Sequence, residues 1–211
     1  MIRAWLDPLP LVAILRGLRP EEALDIGRAL AEEAFRVIEV PMNSPEPLDS
    51  IRLLSSELGD RCLIGAGTVL RPEQVAHIAA AGGRVIVMPH ADTAVIAAAK
   101  RSGMYCIPGV ATPTEAFAAM QAGADAIKLF PAELLTPAVL KAWRAVMPRD
   151  WAMLPVGGIT PDTMAPYIAA GAGGFGLGSA LYTPGREASD VGRRARAFAQ
   201  AWKTHSQGHT A

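Results

Sequence analysis

Residues 152–181 read AMLPVGGITPDTMAPYIAAGAGGFGLGSAL, and this stretch decides the fold. It opens on the apolar run AMLPVGG (152–158) and closes on another, GFGLGSAL (174–181). Between them lies a helix-like segment, Thr160 to Ala170, which begins T-P-D and stops at Gly171. Proline fits the first helical turn because that N–H has no intrahelical acceptor, and glycine ends a helix because it accepts a left-handed backbone. Strand, helix and strand within about 30 residues form the unit that joins two parallel strands.

The same alternation extends back through the chain. Six more apolar runs precede this unit: LPLVAIL (9–15), RVIEVPM (36–42), CLIGAGTV (62–69), RVIVMP (84–89), YCIPGV (105–110) and AIKLFP (126–131). Helix-like segments lie between them. Pro20 to Ala34 and Pro72 to Ala81 both open on Pro-Glu, and Thr112 to Ala122 opens on T-P-T-E with a capping threonine. The runs are apolar on both faces, as parallel strands covered by helices require. Eight such runs, spaced roughly 20 to 28 residues apart, predict a compact (β/α)8 TIM barrel in one α/β domain over residues 1–203. An open doubly wound sheet is the alternative, but no G-x-G-x-x-G follows the first run. The last helix is expected from Arg186 to Lys203, with residues 204–211 a polar, disordered tail.

Composition excludes several classes of function. The 211 residues carry 20 Lys+Arg and 20 Asp+Glu, so no net charge favours nucleic acid or an anionic membrane as partner. Hydrophobic residues make up 51%, which excludes a disordered chain. Two cysteines, Cys62 and Cys106, build no disulfide framework, and no C-x-x-C points to zinc. The opening MIRAWLDPLPLVAIL is broken by Asp7, Pro8 and Pro10 and does not read as a secretory signal. No run of about 18 apolar residues suggests a membrane span, so a cytoplasmic protein is expected. Of the four histidines only His90, in VMPHAD, follows a run, without a second ligand at metal spacing. Neither a metal nor a cofactor is expected.

Barrel chemistry sits at the C-terminal ends of the strands, and polar groups late in the runs are the candidates. Arg16, Glu39, Thr68 and Lys128 stand there. The chain has four lysines, and only Lys128 lies inside an apolar run. Period-two alternation puts it on one face with Ala126 and Phe130, and Glu39 on one face with Val37 and Pro41. Burial and a nearby cation lower a lysine pKa, and a neutral amine attacks ketones. Glu39 then serves as general acid/base. The plainer alternative pairs Lys128 with Glu39 as a structural ion pair. Arg16 has the fork geometry for a carboxylate or a phosphate, or for an ion pair at the barrel mouth. Thr68 is either a substrate hydroxyl beside Gly65 and Gly67 or a cap for the next helix. Gly157-Gly158 and Gly178-Ser179 end the seventh and eighth runs, where barrels commonly bind phosphate on backbone N–H groups.

The strings AILRG, VIEVPMNSP, IGAGTVL, GVATPTEA, IKLFPAE, VGGITP and GLGSALY, in this order, resemble the class I aldolases that cleave 2-keto-3-deoxy-6-phospho sugar acids, the KDPG/KHG aldolase family. The resemblance spans nearly the whole chain. It implies Lys128 as the Schiff-base lysine and Glu39 as the proton shuttle. It also implies substrate contacts at Arg16, Thr68, Gly158, Gly178 and Ser179, with pyruvate and a phosphorylated sugar acid as ligands and a homotrimer as the assembly; Phe130, expected beside the pyruvyl methyl, and Val156 and Gly157 at the end of the seventh run are further candidate contacts. The branch acting on the 6-phosphogluconate substrate usually reads TLRT after the glutamate and PTGG at strand seven. This chain has Pro41-Met42-Asn43-Ser44 and Pro155-Val156-Gly157-Gly158, which resemble the branch acting on the 6-phosphogalactonate isomer. Val156 lacks a hydroxyl to read the C4 configuration, so tolerance of both isomers is an alternative. A phosphosugar epimerase and a non-catalytic sugar-phosphate-binding barrel are the remaining alternatives.

Overall fold

The computed structural model describes residues 2–7 and 9–206. After a short helix α1 (Arg3–Leu6) the chain runs β1 (Leu11–Ile14), α2 (Pro20–Glu32), β2 (Val37–Pro41), α3 (Pro47–Leu58), β3 (Leu63–Gly67) and α4 (Pro72–Ala80). It continues through β4 (Val85–Val87), α5 (Thr93–Arg101), β5 (Tyr105–Ile107), β6 (Gly109–Val110), α6 (Pro113–Gln121), β7 (Ile127–Leu129) and α7 (Pro137–Arg144). It ends with β8 (Met153–Pro155), a 3-10 turn at Pro161–Thr163, α8 (Met164–Ala169), β9 (Phe175–Leu177) and α9 (Ala188–Ser206). Proline opens α2, α3, α4, α6 and α7, where its missing N–H costs nothing. Thr112 caps α6 by accepting from the Glu115 N–H, while the Glu115 carboxylate accepts the Thr112 N–H at 2.8 Å.

All strand pairs are parallel. They form a six-stranded sheet, ordered β5-β4-β3-β2-β1-β9, and a three-stranded sheet, β6-β7-β8. The parallel α/β architecture is as expected, with the hydrogen-bonded ladder divided between two sheets. The run 105–110 is two strands rather than one, because Pro108 has no N–H for the ladder. Its carbonyl still accepts the Lys128 N–H at 2.9 Å. At the other seam β8 and β9 meet through one bridge, Val156 with Gly176. Gly157, with φ +113°, turns the chain away directly afterwards. The last helix also differs from expectation: Thr204, His205 and Ser206 are helical, and residues 207–211 lie outside the described residues.

Two apolar clusters show which way each strand faces. The larger fills the space between strands and helices, with Leu11, Ile38, Ile64, Ile86, Ile127 and Phe175 among its strand residues. The smaller takes alternate positions: Val12, Val37, Leu63, Val85, Ile107, Ala126 and Leu154, capped by Ile2 and Leu6 beside and within α1. Strand side chains alternate, so residues two further along point the same way. Ile14, Glu39, Gly65, Lys128 and Val156 therefore form the next layer on that inner face. Burying two ionisable groups in this layer is expensive unless function or pairing offsets the cost.

Candidate active site

Glu39 is 2% exposed and Lys128 is 7% exposed. The Glu39 carboxyl is pushed up to about 7 by burial, against the pull of the positive charges on Lys128 and Arg16. Burial also pulls the Lys128 amine down; Glu39 opposes that shift and Arg16 adds to it. Each group feels the other's charge, yet no ion pair or hydrogen bond joins them, and Glu39 Oε2 has no hydrogen-bond partner. The plain ion-pair alternative is thus not what the side chains do. Lys128 Nζ instead stands 4.5 Å from the centroid of the Phe130 ring. Two buried ionisable groups with perturbed titration and no hydrogen bond between them mark this layer as a candidate site.

Neighbouring glycines make the space for this pair. Glu39 lies beside Gly65 and Pro41 beside Gly67 in the β2–β3 register. A Cβ at Gly67 would collide with the Glu39 carboxylate, and a Cβ at Gly65 with the Val85 backbone. These glycines thus admit a carboxylate and a neighbouring strand.

Lys128 opens into a cavity of about 660 Å³. Arg16, Phe130, Val156, Gly157, Gly158, Gly178 and Ser179 line the same cavity; Glu39 and Thr68 do not. Gly157 and Gly158 have φ of +113° and +61°, which side-chain-bearing residues rarely adopt. Among the described residues, the Gly158 and Ser179 N–H groups have no hydrogen-bond acceptor. Two free amides on facing turns can receive an anion. Arg16 departs from expectation in being exposed rather than buried in its run, because β1 ends at Ile14. Thr68 does not cap α4: it has φ +54° and accepts from Arg16 Nη2 at 3.4 Å.

Two long-range pairings were not anticipated from the sequence. Asn43 Oδ1 accepts from Arg16 Nη1 at 2.7 Å, and the buried Tyr182 hydroxyl donates to Glu22 Oε2 at 2.8 Å. Their partners lie 27 and 160 residues away, and no local pattern marks such pairs. Among the described residues, no group of three or more His, Cys, Asp or Glu converges as metal ligands.

The family model for KDPG and KHG aldolase matches residues 2–193. The chain belongs to the KDPG and KHG aldolase family. Among its relatives, the 2-dehydro-3-deoxy-6-phosphogalactonate aldolase of Escherichia coli K12 is 46% identical over 199 residues, covering 94% of this chain and 97% of the relative. A probable 2-dehydro-3-deoxy-6-phosphogalactonate aldolase of Rhizobium meliloti 1021 is 49% identical over 204 residues, covering 96% of each. A solved structure described as native KDPGal is 45% identical and superposes with a TM-score of 0.94, covering 96% of this chain and 98% of its own. In this KDPG and KHG aldolase the lysine and the glutamate share the inner face of the strands, and both glycine turns border the cavity.

Proposed function

We propose that this chain is a class I aldolase, a lyase that splits 2-dehydro-3-deoxy-6-phospho-D-galactonate reversibly into pyruvate and D-glyceraldehyde 3-phosphate. The observation that carries the reading is Lys128, an unpaired, desolvated lysine facing the cavity, with a buried, unpartnered carboxylate on the same inner face.

The neutral Lys128 amine attacks the C2 ketone, and loss of water gives an iminium. Glu39, directly or through a water, takes the proton of the C4 hydroxyl. The C3–C4 bond breaks: its electron pair moves into the iminium to form an enamine, and C4 leaves as the aldehyde of glyceraldehyde 3-phosphate. The enamine gains a proton at C3, and water then hydrolyses the iminium to pyruvate and the free amine. Gly157, Gly158, Gly178 and Ser179 receive the phosphate on their backbone, Phe130 packs beside the pyruvyl methyl, and Thr68 and Arg16 bind polar ends of the substrate. No metal or cofactor takes part in these steps.

The same reading takes the two sheets as one closed (β/α)8 barrel domain, seamed at Pro108 and at the Val156–Gly176 bridge. It takes the protein as a cytoplasmic homotrimer. No helix among the described residues is long and apolar enough to cross a membrane, and exposed Leu70 and Phe117 offer apolar surface for association. Tolerance of the gluconate epimer is a second reading, favoured by Val156, which lines the cavity without a hydroxyl to read C4. The test is retro-aldol kinetics on both C4 epimers with pyruvate release as readout. Faster release from the galactonate epimer is expected; equal rates support dual specificity. Release unchanged in Lys128→Ala contradicts the Schiff-base reading and favours an enzyme that works without one.

A further inference from the structure

Arg16 stands at the end of β1, whose two neighbours in the sheet are β9 on one side and β2 on the other. Its guanidinium could lean either way. Leaning toward β9 would bring it to the glycine turns at Gly158 and Ser179; leaning toward β2 brings it to the Glu39 side. Its bonds decide the direction. Nη1 donates to Asn43 Oδ1 at 2.7 Å in the loop after β2, and Nη2 donates to Thr68 Oγ1 at 3.4 Å in the loop after β3. Arginine can only donate, so the Asn43 amide must present its oxygen here. The backbone is held from the same loop: the Gly17 N–H donates to the buried Ser44 Oγ at 2.9 Å. Neighbouring residues 43 and 44 thus fix both the side chain of residue 16 and the peptide that follows it.

We infer that Asn43 is a positioning residue that turns Arg16 away from the phosphate turns, so that its free N–H groups bind the substrate carboxylate beside the Lys128 amine. The inference rests on the aldolase reading above. A guanidinium has five N–H donors, and the two bonds leave three for an anion. In the substrate the carboxylate is bonded to the carbon that Lys128 attacks, whereas the phosphate lies at the far end. A cation anchored on the β2–β3 side serves the first and not the second. The charge of Arg16 is felt by both Glu39 and Lys128, which agrees with that location.

The condensation direction separates the two anions, because pyruvate carries the carboxylate and glyceraldehyde 3-phosphate carries the phosphate. Asn43→Ala is expected to raise the KM for pyruvate about tenfold, the effect of one charge-assisted hydrogen bond. The KM for glyceraldehyde 3-phosphate and kcat should stay within about twofold. Asn43→Asp keeps an acceptor but adds a negative charge beside the guanidinium, and should raise the pyruvate KM further. A rise in the aldehyde KM alone overturns the inference and assigns Arg16 to the phosphate. An unchanged pyruvate KM in both variants overturns it as well. A wild-type protein that neither condenses these substrates nor forms an adduct with pyruvate fails at the aldolase reading itself, and the inference falls with it.

Discussion

At the scale of single residues, the site depends on two ionisable side chains that the fold leaves uncompensated. Lys128→Ala removes the amine and should lower kcat/KM on the order of 10⁴-fold or more, read as pyruvate release. Glu39→Gln should lower kcat about 10²- to 10³-fold with a small change in KM, because it removes proton transfer rather than binding. Burial holds the Glu39 carboxyl near 7, so the wild-type pH–rate profile should bend near neutrality, and that bend should be absent in the variant. The same shift bears on stability. A carboxyl raised on folding binds more protons folded than unfolded between its ordinary value and about 7. Its contribution is fully present below about 4.5 and is lost as pH rises through 7. Glu39→Gln should therefore gain melting temperature over wild type at pH 8 and show little gain near pH 4. Val156→Thr adds a hydroxyl at the cavity wall and should shift the ratio of rates toward the gluconate epimer, measured with both substrates side by side.

At the scale of elements, the strands were legible because parallel strands buried on both faces leave unbroken apolar runs, and α2, α4 and α6 announced themselves by proline in the first turn, whereas α3 and α7, which also open on proline, were not read. Period-two alternation also read the inward direction of Glu39 and Lys128 correctly, since Val37 and Ala126 lie in the inner cluster. The breaks were not legible. YCIPGV looks like one strand until the missing N–H of Pro108 is set against a particular partner. The exposure of Arg16 and its bond to Asn43 depend on how two loops meet, and sequence spacing carries no trace of that. Element packing makes its own prediction. Gly67→Ala places a methyl against the Glu39 carboxylate and should cost about 10²-fold in kcat while the chain still folds, checked by kinetics beside circular dichroism. Gly158→Ala forces an L-residue to φ +61° at the anion turn. It should raise the KM for the phosphorylated substrate about tenfold and leave pyruvate trapping intact.

At the scale of the whole molecule, α9 packs against α2 and α8 and reaches β9 at the end of the six-stranded sheet. It buries Val191, Ala195, Phe198 and Ala199, and its Trp202 meets Phe175 of β9 edge-on at 6.1 Å. Phe175 in turn meets Tyr167 of α8, whose hydroxyl donates to the Ala132 carbonyl after β7 at 2.8 Å. That chain of contacts crosses the seam where β8 and β9 share a single bridge. Phe198→Ala should cost about 3–5 kcal/mol and lower the melting temperature by roughly 6–20 °C, measured by calorimetry. The proposed chemistry stands on the Lys128 amine, and one measurement addresses it directly. The protein is incubated with pyruvate, reduced with borohydride, digested and mapped by mass spectrometry. A reduced pyruvyl adduct on the peptide carrying Lys128 is the predicted result. No adduct, or one carried by Lys100, Lys141 or Lys203 instead, would contradict it.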